Sequence, residues 1–216
     1  MSGSLPTERQ IIWVSPVWDG KTPEADIIKN YFQYARANLS GQKISVDLFG
    51  QTTTNKDDMG IGQLLENAFE NFDYVSPMVY PSHYANNFLG FANPADHPYE
   101  IIDYAMATAL SREKIFAENQ DSTTSNIKTL SDPVLAGTAP ANIQSSSSSV
   151  GSQTLTPLII PLAKFRPWLQ DFNMGADYNA GMIDQEIKAT QDSLGNDYNG
   201  FMLWNPSNIY TADAVK

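Results

Sequence analysis

The sequence predicts an α/β protein whose strands pair in parallel. Three observations carry this. Short β-rich runs alternate with segments whose apolar residues recur at helical spacing, and such alternation implies crossover connections between parallel strands. Each β-rich run ends in polar or aromatic side chains, and parallel sheets place ligands at the C-terminal ends of their strands. No Gly-rich phosphate fingerprint follows any of the runs, which weakens a nucleotide-binding Rossmann reading.

The elements follow in order. Thr22-Pro23-Glu24 reads as a helix start, with Thr22 as N-cap and Pro23 at the first helical position. Ile27, Ile28, Tyr31, Phe32, Ala35 and Leu39 then recur at helical spacing, and Ser40-Gly41 ends the helix. A strand follows over 43–49. Asp57-Asp58 precede a second helix carrying Ile61, Leu64, Leu65, Ala68, Phe69 and Phe72, and a strand over 73–80 comes next. A third helix runs from about Pro98 to Glu118, with Asp96 as its cap. Residues 120–156, with five consecutive serines at 145–149, read as a flexible Ser/Thr-rich surface insertion within a single domain spanning 1–216. A strand over 158–164, a helix from about Ala180 to Leu194 capped by Gly195, and a strand over 200–204 complete the series. Thr211 starts a last short helix.

Composition narrows the function classes. A net charge of -11 disfavours nucleic acid, whose phosphates call for Lys and Arg. It also disfavours anionic membrane surfaces. No stretch approaches the roughly 18 apolar residues of a membrane span. Residues 1–10 lack the charged and apolar regions of a signal peptide. The absence of cysteine removes disulfides, thiolate metal sites and Cys nucleophiles, and two histidines do not make a His-rich metal site. No metal or other cofactor is called for. A neutral polar ligand fits this acidity.

The strand ends concentrate the chemistry. Arg166-Pro167-Trp168-Leu169-Gln170-Asp171-Phe172 places a guanidinium, an indole, an amide and a carboxylate together directly after an apolar run. Asp47 lies inside Ser45-Val46-Asp47-Leu48-Phe49-Gly50, where an acid costs free energy unless it is paired or hydrogen-bonded. It reads either as a satisfied structural carboxylate or as a catalytic or substrate-binding one. Asp171 reads either as a second reacting carboxylate or as the partner that orients Arg166. Two carboxyls about 5–5.5 Å apart suit a retaining glycosidase, and about 6.5–9.5 Å an inverting one. Tyr80, His83 and Tyr84 are candidates to bind hydroxyls, with loop packing as the plain alternative. Trp168 and Trp204 are candidates to stack on a ring, with core burial as theirs. Arg166, Gln170 and Asn205 complete the substrate-binding candidates. Asp96-His97-Pro98-Tyr99-Glu100 reads as a helix start and not as a metal site.

These motifs resemble the putative glycoside hydrolase domain family, a group of bacterial TIM-barrel proteins long classed as a domain of unknown function. The resemblance rests on Val46–Gly50, Asp57–Gly62, Asp73–Tyr84, Asn93-Pro94 with His97–Glu100, Arg166–Phe172 and Met202–Asn208, in that order along the chain. It implies a parallel (β/α) TIM-barrel type of fold and a carbohydrate substrate handled by carboxylate acid/base chemistry, with Asp47 and Asp171 as catalytic candidates. A non-catalytic carbohydrate-binding barrel or a structural remnant is the alternative. The family's earlier strands have no counterpart here. The chain resembles strands five to eight, the C-terminal half, and lacks the strand-four carboxylate that serves as nucleophile in amylase-like barrels. A half-barrel of this kind is expected to expose two sheet edges and one apolar face. A missing N-terminal half-barrel, or self-association, is therefore the expected partner.

Overall fold

The computed structural model describes residues 20–130 and 162–215. Its centre is a parallel sheet with flanking helices. The elements are α1 (Glu24–Asn38), β1 (Ser45–Phe49), α2 (Glu66–Phe69), β2 (Tyr74–Met78), α3 (Pro98–Leu130), β3 (Lys164–Phe165), β4 (Trp168–Gln170), α4 (Ala180–Leu194) and β5 (Met202–Trp204). The strand order is β1-β2-β4-β5, with β3 also beside β2, and every pairing is parallel. Strands adjacent in the chain are adjacent in space, as expected when each crossover carries a helix. This order is consistent with a TIM-type fold.

Alternation along the strands sorts the side chains onto two faces. Leu48, Val75, Phe165 and Leu169 point to one face. There they join Phe32 of α1, Ala68 and Phe69 of α2, Ile102, Ala105, Met106 and Ala109 of α3, and Ala189 and Leu194 of α4 in one buried cluster. Phe69 is its hub, with Phe116 and Phe165 edge-on at 5.5 and 6.0 Å. The opposite face carries Asp47, Ser76 and Arg166 together with Tyr74, Met78, Trp168 and Trp204. The expectation of an apolar open face is thus corrected: carboxylate, hydroxyl and guanidinium groups alternate there with aromatic rings.

Several elements differ locally from expectation. Pro23, not Thr22, is the residue before α1, and its carbonyl accepts from the N–H groups of Asp26 and Ile27 at 3.0 and 3.3 Å. The second helix shrinks to Glu66–Phe69 because Met59, Gly60 and Gly62 have positive φ and divert the chain before it. At Gly62 a Cβ would lie 3.0 Å from both the Glu24 backbone and Ile28 Cγ1, so only glycine passes without strain. Asp96 does not cap α3. It lies in the Pro94–Asp96 turn and accepts from Asn93 Nδ2 at 2.7 Å, while α3 starts at Pro98. The same helix continues to Leu130, past Glu118 and into the first part of the expected insertion. Residues 131–156, and 158–161 of the expected strand, lie outside the described residues.

Among the described residues the third strand begins at Lys164 and continues past its expected end, to Gln170. Val75 pairs with Phe165 and Met78 with Trp168 in one unbroken register, so β3 and β4 are two parts of a single strand interrupted at Arg166-Pro167. Pro167 has no N–H for a ladder, but its carbonyl accepts from Met202 N at 2.8 Å and so still helps to seat β5. Trp168 and Gln170 are therefore strand residues and do not belong to a loop beyond the sheet.

Two polar clasps hold the sheet to its helices. Asp73 receives Arg36 at 3.0 Å, Lys43 at 2.6 Å and the Ile44 N–H at 3.0 Å. The Lys43 ammonium and then the Ile44 N–H hold its carboxyl well below the usual range. Arg112 of α3, nearly buried, pairs with both oxygens of Glu66 at 2.7 and 2.6 Å. It also donates to the carbonyls of Thr52, Thr53 and Asn55, which fastens the loop leaving β1. Gly50 opens that loop, and a Cβ there would lie 2.1 Å from the Met78 carbonyl oxygen.

Candidate functional site

Asp47 sits on the open face in the middle of β1. Its Oδ1 accepts the indole N–H of Trp168 at 2.9 Å, a bond that reaches from β4 across β2 to β1. Strand alternation puts both side chains on the same face, so the bond needs no unusual backbone. Ser76, the β2 residue in register with Asp47, is fully buried. Trp204 of β5 meets Trp168 edge to face, with ring centroids 6.1 Å apart and planes at 87°. It remains 43% exposed, so its ring is open to a ligand. The three side chains form a strip across β1, β4 and β5, with the carboxylate at one end and a free aromatic surface at the other.

A second group lies at the C-terminal ends of β2 and β4. Tyr80, His83 and Phe172 bring their rings together at 5.3, 5.5 and 6.2 Å. Tyr80 lies near enough to Asp47 to feel its charge. Burial, then Asp47, then Glu186 push the Tyr80 hydroxyl well above its usual pKa, so it stays a neutral hydrogen-bond donor. Burial lowers the His83 pKa, which favours the neutral imidazole. Its Nδ1 is 3.1 Å from Ser82 Oγ, and its carbonyl accepts from Gln51 Nε2 at 3.0 Å.

The remaining sequence candidates have other partners. Tyr84 is buried and stacks near Phe88 at 4.7 Å. Its hydroxyl lies by Thr53 without a hydrogen bond of ordinary geometry, and burial raises its pKa. Arg166 lies 4.0 Å over the Tyr74 ring and donates from Nε to the Asn199 carbonyl at 3.1 Å; its partner is not Asp171. Gln170 is fully buried, and its amide bridges Ser82 N at 3.2 Å and the Phe172 carbonyl at 2.9 Å. Asp171 is 3% exposed, and both carboxylate oxygens are taken by Thr211, from Oγ1 at 2.7 Å and from N at 2.8 Å. Asn205 donates from its side chain to the Asp171 carbonyl and accepts from Ser207 N at 2.8 Å. The structure thus joins Asp47, Trp168 and Trp204, sets Tyr80 and His83 beside them, and threads Gln170, Asp171 and Asn205 into the scaffold.

Sequence reasoning passed over Glu186. This α4 residue is fully buried, and burial pushes its carboxyl well above the ordinary range. It accepts from Gln170 N at 2.9 Å and from the Tyr178 hydroxyl at 2.6 Å. The available signal was an acid on the apolar side of a helix, three residues from both Ile183 and Ala189. Among the described residues no group of three or more His, Asp or Glu is placed to hold a metal ion.

Fold and site together define an α/β protein with a parallel sheet, whose open face presents a carboxylate and two indoles in a strip across its strands. The chain belongs to the family described as "putative glycosyl hydrolase domain", whose model matches residues 7–124 and 133–210, most of its length. Comparisons with curated proteins and with solved structures found no match. Among the described residues no helix is long and apolar enough to cross a membrane.

Proposed function

We propose that this chain forms the carbohydrate-holding part of a glycoside hydrolase, with Asp47 as the carboxylate nearest the substrate. The Asp47–Trp168–Trp204 strip carries this reading. A sugar ring offers an apolar face of C–H groups and a rim of hydroxyls. Trp204 supplies a flat exposed surface for the first, and Asp47 accepts hydrogen bonds from the second. The indole N–H holds one oxygen of Asp47 and leaves the other unengaged among the described groups. Tyr80 and His83, both neutral, line the approach as hydroxyl-binding groups.

Hydrolysis with acid/base chemistry uses a pair of carboxyls. In this reading Asp47 is one member, and the second is the strand-four carboxylate that the family resemblance places outside this chain's matching strands. Asp171 serves as an anchor for the segment at Thr211. The strands at the ends of the described sheet, β1 and β5, are where the remainder of a barrel, or a second copy of the chain, would add. A barrel completed in this way would carry the O-glycosyl hydrolase activity. A non-catalytic carbohydrate-binding barrel is the second reading. It is favoured by the closure of Asp171, which leaves Asp47 as the accessible one of the two carboxylates.

A glycan array probed with the chain and with Trp204→Ala and Asp47→Ala tests both readings. The expected result is binding to a set of neutral oligosaccharides, weakened about tenfold or more by either substitution, the size of a lost charge-assisted hydrogen bond or ring contact. Binding that both variants retain would overturn the placement of the site. Hydrolysis of the bound glycan, lost in Asp47→Asn, would separate the enzyme from the binding module.

A further inference from the structure

Glu186 stands behind the site and does not reach it. One of its oxygens takes the backbone N–H of Gln170, the last residue of β4, and the other takes the hydroxyl of Tyr178. Gln170 precedes the β4–α4 loop, residues 171–179, and Tyr178 lies near its end, so a single side chain ties the two ends of that loop together. Tyr178 is further tied by its N–H to Asn173 Oδ1 at 2.8 Å. The Asn93 side chain reaches the Gly175 carbonyl at 2.9 Å from the loop before α3. From the loop's start, Phe172 projects against Tyr80 and His83. The Gln170 side chain, seated by the same strand end, joins the Phe172 carbonyl to the Ser82 N–H. The chain of contacts from Glu186 to the aromatic wall is therefore continuous: Glu186, Gln170, then Ser82 and Phe172.

We propose that Glu186 is a positioning residue for the carbohydrate site, holding Gln170 and Tyr178 so that the β4–α4 loop presents Phe172 to Tyr80 and His83. The proposal rests on the carbohydrate reading for its purpose, but not for its mechanics. A buried carboxyl in this place works best uncharged. A neutral carboxyl carries one carbonyl oxygen, which accepts from the Gln170 N–H, and one hydroxyl, which meets the Tyr178 hydroxyl, so both contacts are kept without a buried charge. An ionised one would add a charge beside Asp171, in a place that water does not reach. Glutamine has the same pattern of one acceptor and one donor at the same reach. Alanine has neither.

Amide hydrogen exchange by NMR, on the whole chain without ligand, tests the mechanics. The Gln170 amide of Glu186→Ala, which loses its acceptor, and the Ser82 and Tyr178 amides, whose acceptors Gln170 and Asn173 sit on the strand end and loop it holds, are expected to lose about tenfold or more of their protection. Glu186→Gln is expected to restore them. Tyr178→Phe, which removes one hydroxyl and leaves the core intact, is expected to loosen the Tyr178 amide while sparing the sheet amide of Val75. Unchanged protection in Tyr178→Phe and Glu186→Ala would overturn the proposal, as would a Glu186→Gln variant as loose as Glu186→Ala. The same variants on the glycan array tell the two readings apart. Loosened amides in a protein that never bound a glycan would sink the carbohydrate reading and leave the loop mechanics standing. Loosened amides with undiminished glycan binding by Glu186→Ala would sink the positioning role alone.

Discussion

The two faces of the sheet are made by the same strands, yet they follow different rules. On the helix side, Leu48, Val75, Phe165 and Leu169 are fully or almost fully buried against four helices in one apolar cluster. On the open side, Asp47, Trp168 and Trp204 keep polar atoms and ring faces available, and their geometry is set by one hydrogen bond and one edge-to-face contact. One face binds its neighbours through area. The other holds directional groups in place for a ligand. A strand with period-two alternation can do both at once because successive side chains never share a face.

Breaking the two faces separately should give opposite signatures. The largest effect is expected on the helix side. Phe69→Ala removes the hub of the aromatic cluster and should lower stability by about 3–5 kcal/mol, measured by urea unfolding. A loss below about 1 kcal/mol would mean that the cluster is not a packed core.

An intermediate effect is expected at Glu186, where the two faces meet through β4. Its folded pKa is raised, with burial as the largest cause, so its contribution to stability is full below the unfolded value and is lost as pH rises through the folded value. Asp171 faces it from the end of β4, Tyr80 from the loop after β2, and Tyr178 from the turn before α4. On α3, Tyr99 and Asp103 face Asp192, a later residue of α4. Above the ordinary Glu range the wild type should therefore lose up to about 1.4 kcal/mol per pH unit relative to Glu186→Gln. Unfolding titrations between pH 4.5 and 8 check this, and parallel curves for the two proteins would refute a neutral Glu186. The smallest effect on stability is expected on the open side. Trp204→Ala, at a half-exposed strand end, should move the unfolding free energy by no more than about 0.5–1 kcal/mol while glycan binding falls.

Much of the secondary structure could be read from residue spacing. The α4 helix was expected over about Ala180–Leu194 and forms over those residues, because its apolar period and Gly195 act locally. The strands at β1, β2 and β5 fall inside their expected ranges for the same reason. The second helix was misread because Leu64, Leu65, Ala68 and Phe69 continue a helical period from Ile61, through a region where the backbone leaves the helical conformation. Met59 and two glycines at positive φ turn the chain there, and periodicity does not record φ. The third strand was ended too early because the polar cluster after the apolar run was taken to lie beyond the sheet. The residues that pair with β2 include Phe165 and Trp168 of the polar cluster, and pairing is decided by the neighbouring strand.

The candidate site divides in the same way. Asp47, Trp168 and Trp204 could each be picked out as unusual residues in apolar runs, but nothing local says that an indole on β4 would reach a carboxylate on β1. Asp171 carries the same chemistry as Asp47 in the sequence. It differs only because Thr211, forty residues further on, folds back to occupy both of its oxygens. By itself the sequence determined the alternation of strands and helices, the two-faced pattern of each strand and the kinds of side chain at the strand ends, since these depend on neighbours within a few residues. Tertiary structure alone decided which carboxylate remained open, which was closed, and that Glu186 would be sealed behind the loop. Those outcomes depend on burial and on partners distant in the chain, and a side chain's chemistry does not specify either.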